Sequence, residues 1–252
     1  MYHVPFGINQ ELFKPVCINK AKNKLGIDEK SFTLMFRSDH NIYKGLDLIK
    51  AALSEITDET ITLITVGQTG LLKKFKDKFN IIEFNWLKDD KKMVELYQAC
   101  DLFLMLSKQE TFGMIAIEAM SCAKPVLSIM GTSLAGVINS PHAGIATKAD
   151  VKSFTKELQR LMNDPKEILE RGKKSLEFAK KNYCHKVYVR RMIKVYKEVI
   201  ARHKIDDEAK HVLGQLKKHM CQKPIRYNEL ASRYLTVKNW PKRSRRLLRL
   251  SA

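Results

Sequence analysis

Ser107-Lys-Gln-Glu110-Thr-Phe-Gly113-Met-Ile-Ala-Ile-Glu118-Ala-Met-Ser-Cys-Ala-Lys-Pro125 is the stretch whose reading decides the fold. A mostly apolar hexapeptide, Asp101 to Leu106, precedes it, and a Pro-led run, Pro125-Val-Leu-Ser-Ile129, follows. That order predicts buried strand, loop, helix and buried strand. A parallel α/β sheet uses such a unit to present a loop and a helix N-terminus to an anionic ligand. Within the expected helix, Met114, Ile117, Ala119, Met120 and Ala123 supply apolar cover for the sheet. Gly113 lets the backbone approach a ligand closely. Glu110 falls just outside the helix and Glu118 inside it, about 12 Å apart along a helical axis. That separation is too long for an acid/base pair and suits a grip on two parts of one long ligand.

Working outward, the strands Ser31–Phe36, Ile61–Val66 and Ile81–Phe84, with a short one at Gly144–Ala146, read as largely apolar runs. Helical patterns separate them. One, opened by Lys44-Gly45, presents Leu46, Leu48, Ile49, Ala52 and Leu53; others cover 71–79 and 91–99. Asn19 is the expected cap of a short helix over 20–25 that Gly26 ends. Further helices are expected at 150–163, 165–181 and 185–203. About six strands alternating with helices, apolar throughout, predict a parallel sheet covered on both faces. Residues 1–16, punctuated by Pro5, Gly7 and Pro15, read as a connecting segment.

The chain has 252 residues, 44% of them hydrophobic, enough for one large domain or two small ones. It contains no run of about 18 apolar residues and no signal-peptide pattern at its start. Cys17, Cys100, Cys122, Cys184 and Cys221 are odd in number and scattered, the usage of a reduced, cytoplasmic protein. The net charge is +19, and residues 201–252 carry 14 Lys and Arg against 4 Asp and Glu. About half of the excess therefore sits in the last fifth of the chain. An anionic partner explains it: a nucleotide sugar, an acidic lipid surface or nucleic acid. A lysine-rich proteome explains much of the first part equally well.

Glu110-Thr-Phe-Gly-Met-Ile-Ala-Ile-Glu118-Ala-Met resembles the signature of retaining glycosyltransferases of the GT-B fold, the glycogen-synthase-like and lipopolysaccharide mannosyltransferase group. Leu106-Ser107, Phe112-Gly113 and Lys124-Pro-Val126 strengthen the resemblance. So do Phe36-Arg37 followed by Lys44-Gly45, and Val4-Pro-Phe-Gly-Ile-Asn9 followed by Leu12-Phe-Lys-Pro15. The resemblance covers residues 4 to about 200. It implies a Rossmann-like, doubly wound α/β domain over 17–200, entered through 1–16 and followed by a basic helical appendix over 201–252. It also implies that this is the C-terminal, donor-binding half of a two-domain enzyme, whether as a fragment, one half of a split enzyme or an excised piece. The partner would then be an N-terminal Rossmann-like domain on another chain. The chain departs from the family pattern at Phe6, at Ala123 where glycine is usual, and over 130–136, where no residue is carried over.

The resemblance assigns roles. Arg37 and Lys44 would bind the donor diphosphate, and fixed positive charge there stabilises a leaving group that gains charge as its bond breaks. Arginine offers a planar fork for phosphate oxygens, lysine a compact cation. N–H groups near Thr111, Phe112 and Gly113 would add the helix dipole. Glu110 would contact donor-sugar hydroxyls near the reacting carbon, and Glu118 the ribose hydroxyls. Gly45 belongs to the Lys-Gly pair, and the base is expected near Gly67 and Trp86-Leu87. No metal or other cofactor is expected beyond the nucleotide-diphosphate sugar; Asp89-Asp90 and Asp206-Asp207 lack the spacing of an Asp-x-Asp metal motif. The acceptor would be a saccharide or a lipid-linked sugar.

Plainer readings stand beside these. Glu110 can serve the helix dipole alone, Glu118 can face solvent, Arg37 can form a surface ion pair, and Trp86 is read as packing. His203, Asp207, His211 and His219 share a helical spacing but read as a solvated face rather than a metal site. Trp240-Pro-Lys-Arg-Ser-Arg-Arg-Leu-Leu-Arg-Leu250 carries five cations among three leucines. It suits an anionic membrane surface or a solvated tail; nucleic acid is disfavoured, since no recognised binding motif accompanies it. Two alternatives to the transferase remain: a sugar-nucleotide-binding module without transfer, and a basic membrane- or nucleic-acid-associated scaffold.

Overall fold

The structure, a computed structural model, describes residues 2–57 and 60–203. It divides into a unit over residues 1–191 and a second over 192–252. The expected appendix lies outside the described residues from 204 onward, and with it Asp207, His211, His219 and the Trp240–Leu250 segment.

Six parallel strands form one sheet: β1 (Phe32–Ser38), β2 (Ile61–Gly67), β3 (Asn80–Phe84), β4 (Leu102–Met105), β5 (Val126–Ile129) and β6 (Ile145–Thr147). Their spatial order is β3-β2-β1-β4-β5-β6. The helices are α1 (Ile18–Lys24), α2 (Leu46–Glu55), α3 (Asp90–Ala99), α4 (Met114–Ser121), α5 (Leu134–Val137), α6 (Val151–Met162), α7 (Pro165–Tyr183) and α8 (His185–His203). This is the doubly wound, Rossmann-like architecture.

The strands are apolar on both sides because both sides are covered. Met35, Ile64, Phe103, Met105 and Val126 point toward α1, α3, α4, α5 and α7. Their neighbours Leu34, Phe36, Leu63, Leu104 and Leu127 point toward α2 and α6. Single-residue alternation along each strand thus feeds two separate cores.

Three local expectations are corrected. Residues 71–79 form a single 3-10 turn at Lys73–Phe75 instead of a helix. Leu72, Phe75 and Phe79 are buried at helical spacing, but consecutive tight turns place them equally well (Phe75 N–H to Leu72 O, 2.9 Å; Phe79 N–H to Phe75 O, 3.0 Å). Gly70 takes φ +79° immediately before this segment. Asn19 does not cap α1: the helix begins at Ile18 after Cys17, and the Asn19 amide donates to Glu29 Oε2 at 2.7 Å. Finally, α5 forms in the 130–136 region, where the sequence reading placed no element.

The first residues are more than a connector. Ile8 N–H donates to Tyr183 O (2.7 Å) and His185 N–H to Ile8 O (3.1 Å), so the chain start pairs with the α7–α8 junction. Phe6 and Tyr183 stack edge-on against Phe112, with centroids 5.3 and 5.9 Å away.

Candidate functional site

The helices following β1 and β4 cover opposite faces of the sheet, although these two strands are neighbours. In sheets of this topology the crevice at the C-terminal ends of two such strands is the usual ligand position.

The loop after β1 is tightly wound. Asn41 Oδ1 accepts from Tyr43 N–H at 2.9 Å, and Gly45 takes φ +72°. A side chain at 45 would start 2.1 Å from Leu106 O, so only glycine lets this loop cross the end of β4. Lys108 N–H then donates to Tyr43 O at 2.7 Å and Lys108 Nζ pairs with Asp47 at 2.8 Å. Pinned in this way, Lys44 Nζ lies 3.2 Å from Glu110 Oε2, both side chains largely enclosed. The structure therefore brings together two residues that are 66 positions apart in sequence.

Arg37, next to last in β1, points to the α3–α4 side by strand alternation. Its guanidinium sits 4.4 Å above the Trp86 ring. Trp86 is 49% exposed, so it is a surface platform and not the packing residue that the sequence suggested. It also lies beside Gly67, whose φ of +136° and missing side chain let β2 close against Ser38 O; a Cβ there would be 2.2 Å from that oxygen. The partly buried side chain of Leu87 packs against the core.

Glu118 is on α4, one and a half turns in. Tyr97 Oη on α3 donates to its Oε2 at 2.8 Å. Burial pushes the Glu118 carboxyl above the usual carboxylate range; the Tyr97 hydrogen bond and the Arg37 charge oppose that, and Asp90 adds to it. Tyr97 is fully buried, and its own ionisation is driven well upward, first by burial and then by Glu118, so it remains a donor.

Between the two carboxylates, Gly113 caps α4 at φ +88°. Thr111 is exposed, and its N–H points to Glu110 Oε1 at 3.3 Å. The Phe112 side chain faces the aromatic cluster with Phe6 and Tyr183, so only its backbone belongs to the crevice. The loop at 130–136 closes this end: Ser133 Oγ donates to Glu110 O at 3.1 Å, and Leu134 packs where a Cβ of Gly113 would be. Among the described residues no group of His, Cys, Asp and Glu is arranged to hold a metal ion. No described helix is long and apolar enough to cross a membrane.

The sequence reading missed Tyr97, Ser133 and the Arg37–Trp86 stack. Tyr97 was legible only as one residue of an apolar helix face. A buried tyrosine hydroxyl needs a partner, and that is the signal that points to Glu118.

Lys44 beside Glu110 and Arg37 on Trp86, near the switch point of a six-stranded parallel sheet, define an α/β protein with two cations at its strand C-terminal ends. The family model for glycosyl transferases group 1 matches residues 18–181, and the chain belongs to that family. It is 23% identical over 212 residues to D-inositol 3-phosphate glycosyltransferase 1 of Catenulispora acidiphila, a match covering 77% of this chain and 50% of the relative. Sucrose-phosphate synthase from Thermosynechococcus elongatus superposes with a TM-score of 0.70 at 22% identity, over 79% of this chain and 52% of that one. Anabaena HepE in complex with UDP and glucose gives 0.61 at 19% identity, over 78% and 55%. The chain spans about half the length, or less, of the curated relatives it matches.

Proposed function

We propose that this chain is the donor-binding part of a retaining glycosyltransferase that uses a nucleotide-diphosphate sugar. The observation that carries the reading is the pairing of Lys44 with Glu110 and of Arg37 with the Glu118 side of one crevice. Glu118 accepts the ribose hydroxyls, a charge-assisted contact. Lys44 and Arg37 flank the diphosphate, together with the N–H groups at the start of α4. Glu110 takes hydroxyls of the donor sugar, with Lys44 holding it in place. As the bond between the anomeric carbon and the diphosphate oxygen breaks, the charge on that oxygen grows, and the two fixed cations stabilise it without rearrangement. Such a site needs no bound cation. The solved complex of Anabaena HepE with UDP and glucose supports UDP as the first nucleotide to test.

The acceptor, a saccharide or a lipid-linked sugar, belongs to an N-terminal Rossmann-like domain. The coverage of about half of each relative supports that division, and equally supports a binding module that does not transfer by itself.

Calorimetric titration of UDP, GDP and ADP into wild type and Glu118→Ala tests the reading. Micromolar to millimolar binding of one nucleotide, abolished in the variant, is expected. Failure of all three to bind wild type would sink it. Transfer assays with an added N-terminal domain, reading anomeric configuration by NMR, then separate transferase from module.

A further inference from the structure

We propose that Tyr97 is a positioning residue of the donor site: its hydroxyl, donating to Oε2 of Glu118 at 2.8 Å, fixes the carboxylate so that Oε1 is presented to the vicinal hydroxyls of the ligand. The inference rests on the donor reading given above.

The two carboxylate oxygens of Glu118 differ in their surroundings. Oε2 accepts from Tyr97, while Oε1 accepts no hydrogen bond among the described residues and is not one of the buried unpaired side-chain atoms. One oxygen is thus held from within the fold and the other opens outward. A free glutamate has three side-chain torsions, and ordering them on ligand binding costs affinity. Here that ordering is done beforehand. Tyr97 is itself immobile: it is 0% exposed and its ring packs edge-on against Phe103 at 5.5 Å, with Phe13 at 6.4 Å on another side. The ring fills the core, and the hydroxyl at its end has Glu118 as its partner.

The contact also governs charge. The titratable and charged groups around Glu118 are Tyr97 and Asp90 on α3, Arg37 on β1, and Cys122 on its own helix. Burial and Asp90 favour the protonated carboxylic acid. Tyr97 and Arg37 favour the carboxylate, which is the form that accepts two hydroxyls. Removing the hydroxyl therefore costs both geometry and ionisation.

The test is calorimetric titration of UDP from pH 5 to pH 8 into wild type, Tyr97→Phe, Glu118→Gln and the double variant. Phenylalanine keeps the ring and its packing. Tyr97→Phe is expected to bind UDP about tenfold more weakly at pH 7, the loss of one hydrogen bond to a charged group. The pH at which its binding is half-maximal moves upward relative to wild type. In the Glu118→Gln background the tyrosine substitution is expected to shift no pH midpoint, because there is no carboxylate left to tune. Wild-type affinity and an unmoved midpoint in Tyr97→Phe would overturn the inference while leaving the donor reading intact. Absence of UDP binding by wild type, with the other nucleotides also silent, would overturn both.

Discussion

Glu118 carries a conflict between function and stability. Its carboxyl is raised above the ordinary value of 4.5 in the folded chain, chiefly by burial. A folded group with a raised value holds its proton to higher pH than the unfolded chain does. Its favourable contribution is present below about pH 4.5 and is lost as pH rises through the folded value. At pH 7 the ionised carboxylate is therefore a net cost to folding. Glu118→Gln is expected to melt about 2–4 °C higher than wild type at pH 7, with the gap closing below pH 4.5, while UDP binding weakens without being lost. Differential scanning calorimetry across that range reads both slopes. Gly45 carries the opposite kind of constraint. Any side chain there combines a left-handed backbone with a contact at 2.1 Å on Leu106 O. Gly45→Ala is expected to destabilise the chain by about 3 kcal/mol in urea titration and to weaken UDP binding, since the two loops that carry Lys44 and Glu110 are forced apart.

Among the elements, α6 and α7 are joined by a charge cluster rather than by the site. Arg160 bonds both Glu157 and Glu167, and Arg171 donates to Glu167 Oε1 at 2.6 Å. Arg171 also reaches Pro141 O at 2.7 Å, tying α7 to the turn before β6. The Arg160 hydrogen bonds, then those of Arg171, hold the Glu167 carboxyl down at about 2. A depressed carboxylate contributes stability that is present above its unfolded value of 4.5 and is lost as pH falls from there to about 2. Glu167→Gln is expected to lose about 1 kcal/mol at pH 7, as for a partly exposed pair. Its denaturant midpoint is expected to fall less than that of wild type between pH 5 and pH 3. A variant with the wild-type acid slope would show that the cluster contributes nothing. One residue on from Arg171, α7 approaches the turn after α4 so closely that a Cβ on Gly172 would lie 2.3 Å from Ala123 O. Ala123 itself has φ +60°, the conformation that explains why glycine is usual in the family at this position.

On the scale of the whole unit, the sheet has two ends with different work. The C-terminal ends of β1 and β4 hold the crevice. At the other end, Lys22 of α1 is 3% exposed, pairs with Asp101 at 2.8 Å and donates to Ser31 O at 2.7 Å. Asp101 in turn accepts from Thr33 N–H at 2.8 Å, so this buried pair closes the entrance of β1 and β4. Lys22→Met leaves Asp101 with an uncompensated charge and is expected to lower stability by about 3–4 kcal/mol. UDP affinity of the folded protein is expected to stay at the wild-type level, because the proposed donor site lies at the opposite strand ends. Loss of affinity in a folded Lys22→Met would mean that the two ends are coupled.

The alternation of apolar strands and helices determined by itself a parallel sheet covered on both faces, because strands so covered must be apolar throughout. The spacing from Glu110 to Glu118 likewise fixed one carboxylate before α4 and one within it, since helix geometry is local. Periodicity failed at 71–79, where tight turns bury the same residues as a helix would. The tertiary structure alone decided which groups meet. Lys44 finds Glu110 across 66 residues, Arg37 lies on Trp86, and Tyr97 points its hydroxyl at Glu118 across 21. Those meetings depend on strand order and on two glycine-shaped crossings, at Gly45 and Gly67, and a chain read in one dimension records neither.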